Sequence, residues 1–252
     1  MKRNFLCDWD GTRFATERLD FRPDAKQRIV LDERIRRGLL NCSRQWGKST
    51  VTAAKAVYRA YTRPESLVVV VSPGERQSAE FLRKAVGFAR KLRIRERGDG
   101  DNKISLLFPD GSRIVGLPGV ADTVRGFSAV SLMLIDEAAR VRDDVYNAVL
   151  PMLAVGDGDL WLMSTPCGQR GFFYEEWANG GDGWARVSVP ATECSRISPR
   201  FLEEQRASIG DRWFRQEYGC EFVGEEGSVF DMDMVRQAID PDLKAIEIEE
   251  RW

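Results

Sequence analysis

Residues 43–50 read SRQWGKST, and their types and order suit one task, gripping a run of phosphate groups. Such a grip needs backbone N–H groups aimed at the anion, a cation for the outer phosphates and a hydroxyl for Mg2+. Gly47 allows the close backbone approach, Lys48 brings the charge and Ser49 the hydroxyl. Ser43, Arg44, Gln45, Trp46 and Thr50 complete the expected nucleotide-binding loop. The usual pattern, G-x-x-x-x-G-K-[ST], has its first glycine where this chain carries Cys42. A cysteine is small enough for that position if its φ is negative. An ordinary turn leading into a helix is the competing reading.

A second constellation follows in the right order. In LMLIDE, residues 132–137, four apolar residues precede two acids. A strand ending in an aspartate can hold Mg2+, usually through its water, which assigns Asp136 to the ion beside Ser49. A glutamate directly after it, Glu137, lies where it can polarise an attacking water. Taken alone, two acids after an apolar run also suit the N-cap of a helix. A third strand end carries Ser164 and Thr165, whose hydroxyls could bond a γ-phosphate or the attacking water and so register its loss. Ser-Thr-Pro by itself is also a common turn. Together these groups point to ATP hydrolysis with Mg2+ as cofactor.

The elements that must position these groups can be read from the pattern. Residues 21–37 read as a helix, with Pro23 near its start and apolar residues at Ile29, Val30 and Ile35. Residues 38–42 form a short strand running into the loop, and the alanine-rich stretch 50–61 a helix leaving it. Residues 67–72, LVVVVS, suit a strand buried on both faces, followed by an amphipathic helix over 75–93. Residues 104–108 and 113–117 flank Pro109-Asp110-Gly111 as a hairpin. Residues 131–139 and 159–168 are further apolar strands. Strands alternating with helices predict an α/β fold with a mostly parallel sheet flanked by helices, followed by a small helical appendage from about residue 192. Residues 1–20 are weakly patterned. The basic run 83–97 reads as a solvated helix face, and Phe172, Phe173, Tyr174 and Trp177 as packing residues.

Composition narrows the chemistry. The 252 residues are 43% hydrophobic and 31% charged, with 38 Lys and Arg against 39 Asp and Glu. Any hold on nucleic acid must therefore come from a local patch. There is no histidine, which removes Ser-His and Cys-His catalysis, and with no CxxC pair either a zinc site is not expected. The five cysteines are scattered without a CxxC pair and read as free thiols. No signal peptide and no membrane-length apolar segment is apparent.

Taken in order, FRPDAKQ, CSRQWGKST, TVRGFS, LMLIDEAA, STPCGQRGFFYEEW and WFRQEYGCEFVGEEGSVF resemble the large terminase subunits of tailed double-stranded DNA phages, over roughly residues 20–231. The resemblance implies a P-loop NTPase of the ASCE type, whose ATPase domain drives double-stranded DNA into the procapsid. It assigns residues 1–20 to an extension, 21–191 to the ATPase core and 192–231 to a helical subdomain or lid. Residues 232–252 would be a linker toward a nuclease domain that this chain lacks, so nuclease activity is not expected of it. It implies that Arg44 senses the γ-phosphate, that Arg125 reaches a neighbouring subunit's site as a finger, and that Gln27 reads adenine. Each has a plain alternative: a solvated arginine, a local ion pair, a surface glutamine. Implied partners are double-stranded DNA, the portal protein, the small terminase subunit and further copies in a homo-oligomeric ring, all in the host cytoplasm. A helicase-like translocase and a nucleotide-binding assembly module without turnover are the competing functions.

Overall fold

The computed structural model describes residues 10–120, 124 and 126–224. Seven strands form one sheet in the order β3-β4-β2-β5-β6-β1-β7. They are β1 (Arg37–Cys42), β2 (Leu67–Ser72), β3 (Ser105–Leu107), β4 (Arg113–Pro118), β5 (Val130–Asp136), β6 (Asp159–Ser164) and β7 (Ala185–Val189). Only the β3–β4 pairing is antiparallel. The ends of β1, β5 and β6 therefore meet at one edge, with β6 standing between the other two.

Alternate residues of each strand enter opposite layers, as the pleat requires. Leu40, Val68, Val70, Leu132, Leu134, Trp161 and Met163 face one apolar cluster. Leu39, Val69, Val71, Met133, Ile135, Leu160 and Leu162 face the other. The first layer is closed by α1 (Gly11–Glu17), α2 (Ala25–Leu31), α3 (Lys48–Thr62) and α4 (Glu75–Lys91). The second is closed by the helices Asp143–Val149 and Gly171–Asn179, where Tyr146 stacks on Phe172 with ring centroids 4.2 Å apart. Phe172, Phe173 and Tyr174 are buried there, and Trp177 packs against Phe222. The packing reading of these aromatics agrees with that arrangement. Gly38 must lack a side chain, because a Cβ there would lie 2.2 Å from the ring of buried Trp161.

Several elements differ from the sequence reading. The helix expected over 21–37 spans only Ala25–Leu31. Asp32 takes extended backbone angles and accepts a bond from the Arg34 N–H at 2.9 Å, an Asx-type turn that ends the helix. Ile29, expected to pack, is exposed, while Val30 and Leu31 on the same helix are buried. The strand 131–139 stops at Asp136 and the strand 159–168 at Ser164. Within the weakly patterned stretch 1–20 lies α1, capped by Asp10 and anchored by buried Phe14. Strand β7 has no counterpart in the sequence reading. Its Arg186 folds back to donate to the carbonyls of Glu176, Trp177 and Gly181. The C-terminal helices Pro199–Ile209 and Asp211–Glu217 follow, as expected of the appendage. On α4 and just beyond it, Arg83 pairs with Glu80 and Arg90 with Glu96, which makes the basic run a solvated, ion-paired face.

Under α3 lies a buried charge network. Lys55 and Arg59 are almost fully buried and share Glu33 at 2.9 Å each, and Arg59 also pairs with Asp159. Asp159 in turn meets Arg36 at 3.1 Å. Burial opposes the charge on Glu33, but Lys55 and Arg59 outweigh it and hold the carboxyl below its ordinary value. Removing one member leaves a buried charge without its partner. Asp159→Ala is expected to cost about 3–5 kcal/mol in urea unfolding. A loss under about 1 kcal/mol would mean that the network is dispensable.

Candidate functional site

The loop between β1 and α3 begins in extended strand geometry. Cys42 pairs in register with Val189 of β7 and is not among the positive-φ residues, so it meets the condition for replacing the first glycine. The left-handed turns fall instead on Gln45 (φ 68) and Gly47 (φ 100). Ser43 is buried, and its N–H donates to Val189 O at 2.9 Å. Its hydroxyl has no partner among the described residues. Trp46 is buried, and its indole N–H donates to Asp24 at 3.0 Å. Lys48 and Ser49 open α3, with Thr50 beside them, where the free N–H groups of a helix start favour an anion.

Across the sheet edge the acid pair meets this loop. Ser49 Oγ lies 3.2 and 3.4 Å from the two carboxylate oxygens of Asp136. Lys48 Nζ lies 3.2 Å from Glu137 Oε1. Burial pushes the Asp136 carboxyl up, the neighbouring Glu137 charge adds to the effect, and Lys48 opposes it. Glu137 sits at φ 52 in the left-handed region, and its side chain makes no cap bond to the short turn Ala138–Arg140 that follows. The geometry is thus not that of a helix N-cap. Between the two strand ends lie Ser164 and Thr165, both buried. The Ser164 hydroxyl has no partner among the described residues, while Thr165 Oγ1 accepts from Arg140 at 2.9 Å.

Arginines and one glutamate surround these groups. Arg44 donates to Glu217 at 2.7 Å, which raises its pKa above the ordinary value, and Arg140 reaches the other oxygen of Glu217 at 3.1 Å. Gln27 is committed at both ends of its amide. Its oxygen accepts from the Asp24 N–H at 3.1 Å in a capping box, and its nitrogen donates to Trp46 O at 3.3 Å. It borders a cleft of about 490 Å³ lined also by Phe21, Lys26, Trp46, Glu193 and Arg196. Arg196 donates to Trp46 O and, at 2.8 Å, to Gln45 O. Arg125 lies outside the described residues. Sequence reasoning missed Arg140, Arg196 and Glu217. Arg140 alone had a local signal, its spacing three residues after Glu137.

A mostly parallel α/β sheet with a phosphate loop on one strand end, an acid pair on a second and a hydroxyl-bearing strand between them defines a P-loop NTPase fold. The family is narrower still. A model described as "Terminase large subunit, T4likevirus-type, N-terminal" matches residues 39–237, and the chain belongs to that family. Over 87% of its length it is 27% identical to the large terminase subunit of Thermus virus P23-45, of which the match covers 53%. The chain thus spans about half the length of that relative. The large terminase ATPase domain of Thermus phage P74-26 shares the fold with a TM-score of 0.74 at 24% identity, over 84% of this chain and 97% of that one. The large terminase of another thermophilic bacteriophage, in complex with ADP, does so with a TM-score of 0.68 at 17% identity, over 84% and 57%.

The seating of Cys42 can be tested chemically. Burial pushes its thiol well above the ordinary value, and that of Cys220 up to about 12. Both thiols therefore stay protonated at about pH 8, where only the thiolate is nucleophilic. In the folded protein Cys42 and Cys220 are expected to resist iodoacetamide while half-buried Cys167 reacts, and all three should react in denaturant. Peptide mapping by mass spectrometry reads the outcome. Rapid native alkylation of Cys42 would contradict its place in β1.

Proposed function

We propose that this chain is the ATP-hydrolysing motor domain of a phage large terminase, which powers the movement of double-stranded DNA into the procapsid. The observation that carries the reading is the apposition of Lys48 with Glu137 and of Ser49 with Asp136 across two strand ends. Lys48 serves the outer phosphates of ATP, its ammonium standing between the loop and the Glu137 carboxylate. Glu137 orients and deprotonates the attacking water. Arg44 stands at the loop's open side, where its guanidinium suits phosphate oxygens. Gln27 borders the cleft next to the loop and reads adenine there, giving up its bonds to the Asp24 N–H and Trp46 O.

The ligand set fits Mg2+. A hydroxyl and a carboxylate are hard oxygen donors, and burial disfavours the Asp136 charge, which a cation would relieve. When bound, the ion would neutralise charge on the phosphates, with Ser49 and Asp136 holding it.

Family membership supports a wider reading of partners and place. The partners are double-stranded DNA, the portal protein, the small terminase subunit and other copies of the chain in a ring, in the cytoplasm of the infected host. Ser164 and Thr165 pass the loss of the γ-phosphate to the rest of the domain. Arg125 serves a neighbouring subunit.

Lys48→Ala is expected to abolish ATP binding. Glu137→Gln should keep it and lower turnover by about a hundred- to ten-thousandfold. Equal loss of affinity in both variants would remove Glu137 from the role of base.

Arg125 has its own test once the ring is assembled. Mixing Arg125→Ala with Glu137→Gln should restore part of the activity, because each variant supplies what the other lacks. A mixture as inactive as its parts would exclude a finger acting between subunits.

A further inference from the structure

Arg140 sits where three functions of the site converge. One of its terminal nitrogens, Nη1, is 3.2 Å from Glu137 Oε2 and donates to Thr165 Oγ1 at 2.9 Å. The other, Nη2, donates to Glu217 at 3.1 Å. Glu137 is thereby held between two cations, Lys48 on one oxygen and Arg140 on the other. Its backbone contributes to the same end, since φ 52 turns the chain abruptly after Asp136 and brings Arg140 back over the strand ends within three residues. A planar guanidinium fixes the relative position of its acceptors in a way that a flexible ammonium does not.

We propose that Arg140 is a positioning residue for hydrolysis, which sets the Glu137 carboxylate toward the attacking water and locks that setting to the Thr165 hydroxyl. The inference rests on the ATPase reading above. Arg140 has no direct contact with Lys48 or Ser49 and meets Arg44 only through Glu217, so the main effect of its removal is expected on turnover, with nucleotide affinity changed little. A base displaced by a fraction of an ångström still sits in its site but no longer aligns the water. Because Glu137 and Thr165 share one donor nitrogen, a shift of the third strand end reaches the base directly. A shift of the base reaches the strand by the same bond.

The test compares Arg140→Ala, Arg140→Lys, Thr165→Val and the Arg140→Ala/Thr165→Val double variant of the full chain. Steady-state ATPase assays are paired with titration of a fluorescent ATP analogue. Arg140→Ala is expected to lower kcat by about ten- to a hundredfold with the dissociation constant within about twofold of wild type. Arg140→Lys should regain part of kcat. The double variant should lose less than the product of the single losses, since both remove the same link. Unchanged kcat in Arg140→Ala, a parallel loss of affinity and kcat, or strictly multiplicative losses in the double variant would each overturn the proposal. If Arg140→Ala does not fold, Arg140→Lys decides alone: it must fall below wild type in kcat at unchanged affinity. A wild-type chain that neither binds nor hydrolyses ATP would overturn the ATPase reading and this inference with it. An active wild type with an equally active Arg140→Ala overturns only this inference.

Discussion

The pairing of Lys55 and Arg59 with Glu33 and Asp159 constrains the rest of the molecule. These two cations lie on the buried face of α3, the helix whose first residues are Lys48 and Ser49. Burial pulls the Lys55 ammonium down from its ordinary value, and Glu33 opposes that pull. A buried charge must keep its partner, so α3 cannot slide or rotate without breaking several pairs at once. From Lys48 to Arg59 the helix rises about 16 Å, which makes it a strut with the loop at one end and the buried charge network at the other. The register of the loop is thus set far from the loop itself. Lys55 also lies 5.2 Å from the centre of the Trp161 ring, beneath the strand that carries Ser164 and Thr165. One anchor therefore serves two of the three strand ends.

At the opposite end the difficulty is reversed. Asp136 and Glu137 are adjacent acids, and Asp136 is buried enough that its charge is disfavoured. The surrounding cations, Lys48 and Arg140, make the pair tolerable, and the left-handed backbone at Glu137 separates the two side chains. A non-glycine residue in that region costs on the order of 1–3 kcal/mol. Parallel strands complete the arrangement: because β1, β5 and β6 run the same way, their chemically distinct ends converge without long loops.

Much of this was legible in the residues. LVVVVS and LMLID have no polar face, so they could only be strands covered on both sides, and each ends where polar chemistry begins. The place of the loop was legible because Gly47 suits a left-handed turn between a strand and the helix that Lys48 and Ser49 open. The early stop of α2 was not, since it depends on Asp32 bonding the Arg34 N–H instead of continuing the helix. Strand β7 was invisible because five residues with only partial alternation carry little signal, and its pairing with β1 is a long-range event. Helix α1 escaped for the same reason, its worth lying in Phe14 packing edge-on against Tyr58. Arg196 and Glu217 acquire their meaning only when residues some 150 to 170 positions away fold against them.

The two edges of the sheet carry a further consequence, for how copies of this chain can meet. At one edge β3 is only three residues long and turns antiparallel to its neighbour. At the other, β7 is five residues long, and its exposed Arg186 is folded back onto the end of the helix Gly171–Asn179. Neither edge offers a long row of open backbone groups, so a second sheet finds little to extend. Self-association by strand addition, the route to runaway polymers, is blunted at both sides. Any copy that approached either described edge would meet side chains, whose contacts can be made and released without unravelling a sheet.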